Sequence, residues 1–421
     1  MFRTIALWVI LGLMTPPALS DNLAARVSQV LDATPLIDGH NDLPWQFKRR
    51  TNNQLTGLDI SQNLTLIEPS LHTDIPRLRT GMVGGLFWSV YVPIREYGGS
   101  PLAVQQVIEQ IDLVKRLVAR YPDDFALAMT AADVRQIHGN GQIASLIGIE
   151  GGHAIHNSLA TLRQLYNLGA RYMTLTHSKG LLWADSATDK AHHGGLTSFG
   201  EAVVKEMNRL GMLVDLSHVS MDTMRDALVV SKAPVIFSHS SAFTVTQHPR
   251  NVPDDVLRQV TVNRGVVMVN YLTSYISEPM RKYRLDYEAK RDGLIGSESE
   301  IAEEMRVWVE ARPAPEVTLY DVADHIDHMV NIAGIDHVGL GADYDGMPPG
   351  PVGLEDVSTY PALLKELLIR GYSDKDIAKI AGENILRVMA EAEAVAASLQ
   401  SLHSPAEIQF TPPESSIEQA N

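Results

Sequence analysis

Cysteine is absent from this 421-residue chain. Its absence excludes disulfide frameworks, thiolate metal sites, cysteine nucleophiles and lipid attachment through a cysteine, so the fold has to stand on its buried core. Runs of lysine or arginine are missing too. With 35 basic against 50 acidic residues the formal charge is −15, which argues against sequence-independent binding of nucleic acid or anionic lipid and favours small or neutral partners. The longest apolar stretch near the start, Ile5–Met14, is too short to span a bilayer comfortably. Three reactive motifs are also lacking: a Gly-x-Ser-x-Gly elbow, a His-Glu-x-x-His pair and a phosphate-binding loop. The string from Gly139 to Ala144 imitates a dinucleotide fingerprint, but it precedes a strand-like run instead of following one.

Around that apolar stretch lie basic Arg3, the helix-breaking Pro16 and Pro17 and an Ala18-Leu19-Ser20 triplet. These read as a signal peptide over 1–20, cut after Ser20, and therefore as an exported protein, periplasmic or secreted. The polar end SSIEQAN offers no apolar tail for a glycolipid anchor, so no stable membrane anchor is expected.

Eight short apolar runs are present, near 36–40, 84–92, 143–150, 172–177, 212–218, 234–239, 265–271 and 337–343. Between them lie amphipathic patterns such as Val104, Val107, Ile108, Ile111, Val114 and Leu117, spaced for one helical face. Strand alternating with helix implies a parallel sheet, and eight such units predict a closed (β/α)8 barrel, α/β in class, over 21–396. The charged segment 273–317 is too long for an ordinary loop and is expected on the flank, at a subunit contact or at the rim. Residues 397–421, with Pro405, Pro412 and Pro413, read as a poorly packed polar tail.

His40, Asp42, Glu150, His218 and His239 each sit where a strand-like run stops. In a parallel barrel they emerge together at the C-terminal mouth, where catalytic groups of this architecture collect. His40 and Asp42 are two apart and share a strand face. Glu150 leads into Gly151 and Gly152; a buried carboxylate needs a metal or a cation, and its two oxygens suit it to bridge two metals. Nitrogen and oxygen donors favour zinc, with manganese or cobalt as substitutes. His72, His138, His325, His328, His337 and His403 are expected to face solvent or cap helices. His192 and His193 are expected in a solvated turn, and His153 and His156 beside the site at most.

The strings HNDLPW (40–45), GIEGGHAI (148–155), YMTLTH (172–177), WADS (183–186), VDLSHVS (214–220), FSHSSA (237–242), HPRNVPDDVL (248–257) and GADYDG (341–346) resemble the membrane dipeptidase (renal dipeptidase) family, a group of binuclear zinc dipeptidases. The resemblance covers roughly residues 35–395 and implies a metallodipeptidase with two zinc ions per chain. It assigns His40 and Asp42 to one zinc, His218 and His239 to the other, and Glu150 to the bridge. It gives His177 the oxyanion, Arg250 the substrate's terminal carboxylate and Asp343 the proton shuttle. The implied substrate is a free dipeptide, with D-residues tolerated at its C-terminal position, cleaved through a metal-bridging hydroxide. A non-covalent homodimer is implied as well; the disulfides and the anchor of the mammalian members are not, because cysteine and an anchor signal are lacking here. Two other readings use the same residues: a different binuclear amidohydrolase acting on N-acyl amino acids or cyclic amides, which has no need of Arg250, and a non-catalytic binding barrel.

Overall fold

In the computed structural model, which describes residues 17–411, every strand pairing of the main sheet is parallel. The strands are β1 (Leu36–Asn41), β2 (Val83–Tyr91), β3 (Phe125–Leu127), β4 (Ile143–Glu150), β5 (Ala170–Thr174), β6 (Leu213–Asp215), β7 (Ile236–Phe237), β8 (Val266–Val269) and β9 (Val338–Leu340). Their order is β2-β1-β9-β8-β7-β6-β5-β4-β3, and the additional β2–β4 pairing closes the ring. Eight strands make the barrel. β3, which the sequence pattern does not announce, pairs with Ile143–Ser145 at the start of β4, before β5 joins that strand at Ile147.

Two apolar layers follow from the alternation of side chains along each strand. Ile37, Phe87, Leu146, Tyr172, Leu213, Ile236 and Met268 fill the inside, and Ile385, Leu386 and Met389 of the helix Asn384–Leu402 pack against the same cluster. The larger layer lies between barrel and outer helices, where Val107, Ile111, Val114 and Leu117 of Leu102–Arg120 are buried as their spacing predicts, whereas Ile108, expected on the same face, is exposed. Each such side chain contributes about 1.5–3 kcal/mol of burial free energy.

Several strands are shorter than the apolar runs that encode them, because side chains take over the backbone groups at their ends. Asp215 Oδ1 accepts from the backbone N–H of Ser217 at 3.1 Å and of Ser238 at 2.8 Å, which stops the ladder between β6 and β7. Asp38 Oδ1 does the same for His40 at 3.2 Å and Ala342 at 2.9 Å, between β1 and β9. Beyond those points the chains splay into the loops that line the mouth.

The segment 273–317 is mostly helical: Thr273–Ile276, then Glu278–Asp292 and Glu298–Ala311, the last two packed together through Tyr283, Tyr287 and Trp308. The final helix runs on to Leu402. After it Phe410 meets the Phe199 ring edge-on at 5.2 Å, and the Ala406 carbonyl accepts from Arg163, so the described part of the tail touches the barrel helices. The first helix is Pro17–Ala33; most of the expected signal peptide lies outside the described residues. Among the described residues no helix is long and apolar enough to cross a membrane.

Candidate active site

Glu150, the last residue of β4, is the hub. Its Oε1 lies 3.0 Å from His218 Nε2, 3.6 Å from His40 Nε2, 3.6 Å from His239 Nε2 and 3.7 Å from His177 Nε2. His40 Nε2 is also 3.3 Å from Asp42 Oδ2. Asp343 joins His40 and Asp42 in a third overlapping group of donor atoms close enough to share an ion; the other two are His40, Glu150 and His239, and Glu150, His177 and His218. Four histidines and three carboxylates thus form one cluster; all of them but His40, which sits behind, line a cavity of about 350 Å³ whose wall also carries Arg250. All eight residues picked from the sequence meet here.

Local backbone conformation explains the convergence. His218 and Asp343 have φ values of 69° and 72°, a left-handed region uncommon for side chains other than glycine and frequent where function outweighs local preference. Close approach matters at two glycines. A Cβ on Gly148 would stand 2.0 Å from the Tyr172 ring, which crosses β4 there, and one on Gly346 would stand 2.0 Å from Asp42 Oδ2 and 2.7 Å from Asp343 Oδ1. The Tyr172 hydroxyl is 2.8 Å from His40 Nδ1, which leaves Nε2 as the free nitrogen of that ring.

Burial and charge set the protonation. Burial, followed by the neighbouring carboxylates, lifts both Glu150 and Asp343 well above the usual carboxylate range. Burial opposes charge on His40, but Asp42 and Glu150 outweigh it and hold that ring above its ordinary value. His218 and His239 are pushed down, by burial first and by nearby cations second. His177 falls to about 3 through burial and Arg250. The lift on the carboxyls marks buried anionic positions without an adequate counter-charge, three of the four imidazoles are held neutral, and His40 Nε2 and Asp42 Oδ1 are buried without a hydrogen-bond partner. These observations fit a site completed by cations.

Arg250 is almost wholly buried, with its guanidinium 5.4 Å above the Tyr275 ring and with Nε and Nη1 lacking partners. Other residues of the wall were not evident from sequence. Trp45, Gln46 and Arg49 lie on one face of the helix Leu43–Thr51, Tyr91 ends β2, and Leu272 and Tyr275 follow β8. Tyr91 stands in a row of rings between Trp45 and His177, with centroids 5.0 and 4.9 Å away. Asn270 donates to Asp343 Oδ2 at 3.0 Å while its own Oδ1 accepts from Leu272 N–H. The signal that could have found Tyr91 and Asn270 is positional: each is a polar-tipped residue closing an apolar run, on the two strands that supply no metal-type side chain.

Two histidines expected to face solvent or cap helices do neither. His325 is fully buried: Nδ1 accepts from Ala242 N–H at 2.9 Å and Nε2 lies 3.2 Å from the Ile276 carbonyl, so it ties the loop after β7 to the helix that carries Tyr275. His72 is mostly buried, and its Nδ1 accepts from Asp345 N–H at 2.9 Å. His192 and His193 are exposed, as a solvated turn requires, and buried His153 engages the Val92 carbonyl.

A closed (β/α)8 barrel with histidines and carboxylates gathered at the C-terminal ends of its strands defines the class of metal-dependent hydrolases. The sequence profile described as membrane dipeptidase (peptidase family M19) matches residues 24–403. The chain belongs to the membrane dipeptidase family and is a peptide hydrolase. Similar solved structures include the dipeptidase AC, a metallo peptidase, at 27% identity and a TM-score of 0.67, over 86% of this chain and 99% of that one. A metallo peptidase from Rhodobacter sphaeroides, liganded with a phosphinate mimic of the dipeptide L-Ala-D-Ala, is 26% identical with a TM-score of 0.69, over 86% and 99%. The probable dipeptidase PvdM from Pseudomonas aeruginosa shares the fold at 22% identity and a TM-score of 0.75, over 89% and 100%.

Proposed function

We propose that this enzyme is a binuclear zinc dipeptidase that hydrolyses free dipeptides, including those ending in a D-residue. The observation that carries the reading is Arg250: a cationic guanidinium buried in the wall of the cavity that holds the metal-type cluster. Its planar fork suits a terminal carboxylate held by paired hydrogen bonds. The cavity, at about 350 Å³, suits a small ligand. The Rhodobacter structure's L-Ala-D-Ala mimic supports the substrate class and the D-residue.

In this reading His40 and Asp42 hold one zinc, His218 and His239 the other, and Glu150 serves both; manganese or cobalt suits the same donors. When bound, the ions acidify a water and polarise the scissile carbonyl. Arg250 orients the substrate by its terminal carboxylate. His177, kept neutral by burial, donates a hydrogen bond where the carbonyl oxygen becomes negative. Asp343, with Oδ2 occupied by Asn270, takes the proton at Oδ1 and returns it to the leaving amine. The same reading takes residues 1–20 as a leader and the mature enzyme as exported, and a non-covalent homodimer belongs to it as well.

The test is hydrolysis of Gly-D-Ala, Gly-L-Ala and their C-terminal amides with zinc supplied or chelated. Zinc-dependent cleavage confined to the free dipeptides is expected. Cleavage of the amides alone would overturn the dipeptidase reading in favour of a broader amidohydrolase.

A further inference from the structure

Asp215 is buried and is not among the residues that line the cavity, yet its carboxylate is fully engaged. Oδ1 accepts from the N–H groups of Ser217 and Ser238 at 3.1 and 2.8 Å. Oδ2 accepts from the hydroxyls of Thr174 at 2.5 Å and Ser238 at 2.7 Å. Ser238 Oγ is in turn 2.8 Å from His239 Nδ1. All of these groups are buried.

A serine hydroxyl has a single proton. A carboxylate only accepts, and at 2.7 Å it is much nearer than the other acceptor, Ser217 Oγ at 3.5 Å, so that proton goes to Asp215, and Ser238 Oγ can meet the imidazole only as an acceptor. His239 Nδ1 must then be the donor, which leaves a lone pair on Nε2, the nitrogen 2.9 Å from His218 Nε2 and 3.6 Å from Glu150 Oε1. We infer that Asp215 and Ser238 form a relay that fixes the tautomer of His239, so that its site-facing nitrogen is the lone-pair donor. Asp215 is a positioning residue, acting through Ser238 and never on the substrate. The inference rests on the metal-site reading of His239 and goes beyond it by naming what makes the ring a competent ligand.

The logic singles out one nearly isosteric change. In Asp215→Asn the two backbone N–H groups require the amide oxygen at the Oδ1 position, which puts the amide nitrogen at Oδ2. That nitrogen donates to Ser238 Oγ, whose proton now turns to His239 Nδ1, and the ring proton moves to Nε2, facing the site. Ser238→Ala removes the relay without inverting it and leaves the ring free to adopt either tautomer. A purely structural role makes no such distinction, because Ser238→Ala deletes more contacts at the ring than Asp215→Asn.

The experiment has two parts. Ring 15N spectra of the metal-free wild-type protein, with His239 assigned by difference against His239→Gln, report the tautomer directly. Zinc affinity of wild type, Asp215→Asn and Ser238→Ala, measured by chelator competition with melting curves of the metal-free forms, reports the consequence. We expect the Nδ1–H form in wild type, and zinc bound about 10–100-fold more weakly by Asp215→Asn, with a smaller loss in Ser238→Ala. An Nε2–H form in wild type would overturn the inference, as would a folded Asp215→Asn with undiminished affinity or an equal or larger loss in Ser238→Ala. Should Asp215→Asn not fold, the wild-type spectrum decides alone. That spectrum needs neither metal nor substrate, so a failure of the dipeptidase reading stays separate from a failure of the relay.

Discussion

Replacing Arg250 with alanine separates recognition of the substrate's terminal carboxylate from the chemistry of the bond. The guanidinium lines the cavity and is almost wholly buried, so a substrate carboxylate gains charge-assisted hydrogen bonds to one edge of it in a largely desolvated setting. Two such bonds at about 1.5–3 kcal/mol each, discounted because they share one carboxylate, amount to about 3–4 kcal/mol. At 1.4 kcal/mol per tenfold, kcat/KM for a free dipeptide should fall by about 100- to 1,000-fold. The loss is expected mainly in KM, since the carboxylate is held alike in ground and transition states. The assay is steady-state hydrolysis of Gly-L-Ala and its C-terminal amide at equal zinc loading, with circular dichroism to verify the fold. Wild type should strongly prefer the acid, while the variant should treat acid and amide alike. An undiminished preference for the acid, or an equal loss on both substrates, would refute the clamp.

Other outcomes follow from the same geometry. Chelation should abolish peptidase activity and lower the melting temperature, because ions that bind only the folded state stabilise it; calorimetry with and without chelator checks this, and unchanged melting would argue against a metal site in the mouth. Gly346→Ala should keep the fold and lose bound metal and most activity, since the added Cβ meets the Asp42 and Asp343 carboxylates rather than main chain; metal analysis of the purified variant reads it. His325 is held at about 3, by burial first. Its folded value lies below its unfolded value of 6.5, so the unfolded state binds more protons between those limits, and stability should fall as pH drops from about 6.5 toward 3. At 1.36 kcal/mol per unit this is on the order of 5 kcal/mol. Urea melts of wild type and His325→Gln across that range should show a shallower acid loss in the variant.

The fold and the gathering of the metal-type side chains were legible in the sequence for a physical reason. Strand period, helix period and the placement of His40, Asp42, Glu150, His218 and His239 at the ends of apolar runs are local properties, and a parallel barrel converts strand ends into one shared mouth whatever the intervening helices contain. The resemblance added His177, Arg250 and Asp343, which strand ends alone do not distinguish from ordinary loop residues. Strand length was not legible, because β6, β7 and β9 stop where Asp215 and Asp38 capture N–H groups of neighbouring strands, contacts between residues up to 304 apart in sequence. His325 was misjudged for a related reason: a histidine among polar residues on a helix shows no sign of the Ala242 N–H and Ile276 carbonyl waiting for it. Composition and periodicity by themselves determined that this chain closes a barrel and points metal-type side chains at its mouth. Only the tertiary structure decided which buried groups orient them: the Tyr172 hydroxyl on His40, Asn270 on Asp343, and the Asp215–Ser238 pair on His239. Hydrogen bonds between distant strands leave no periodic trace in the sequence that makes them.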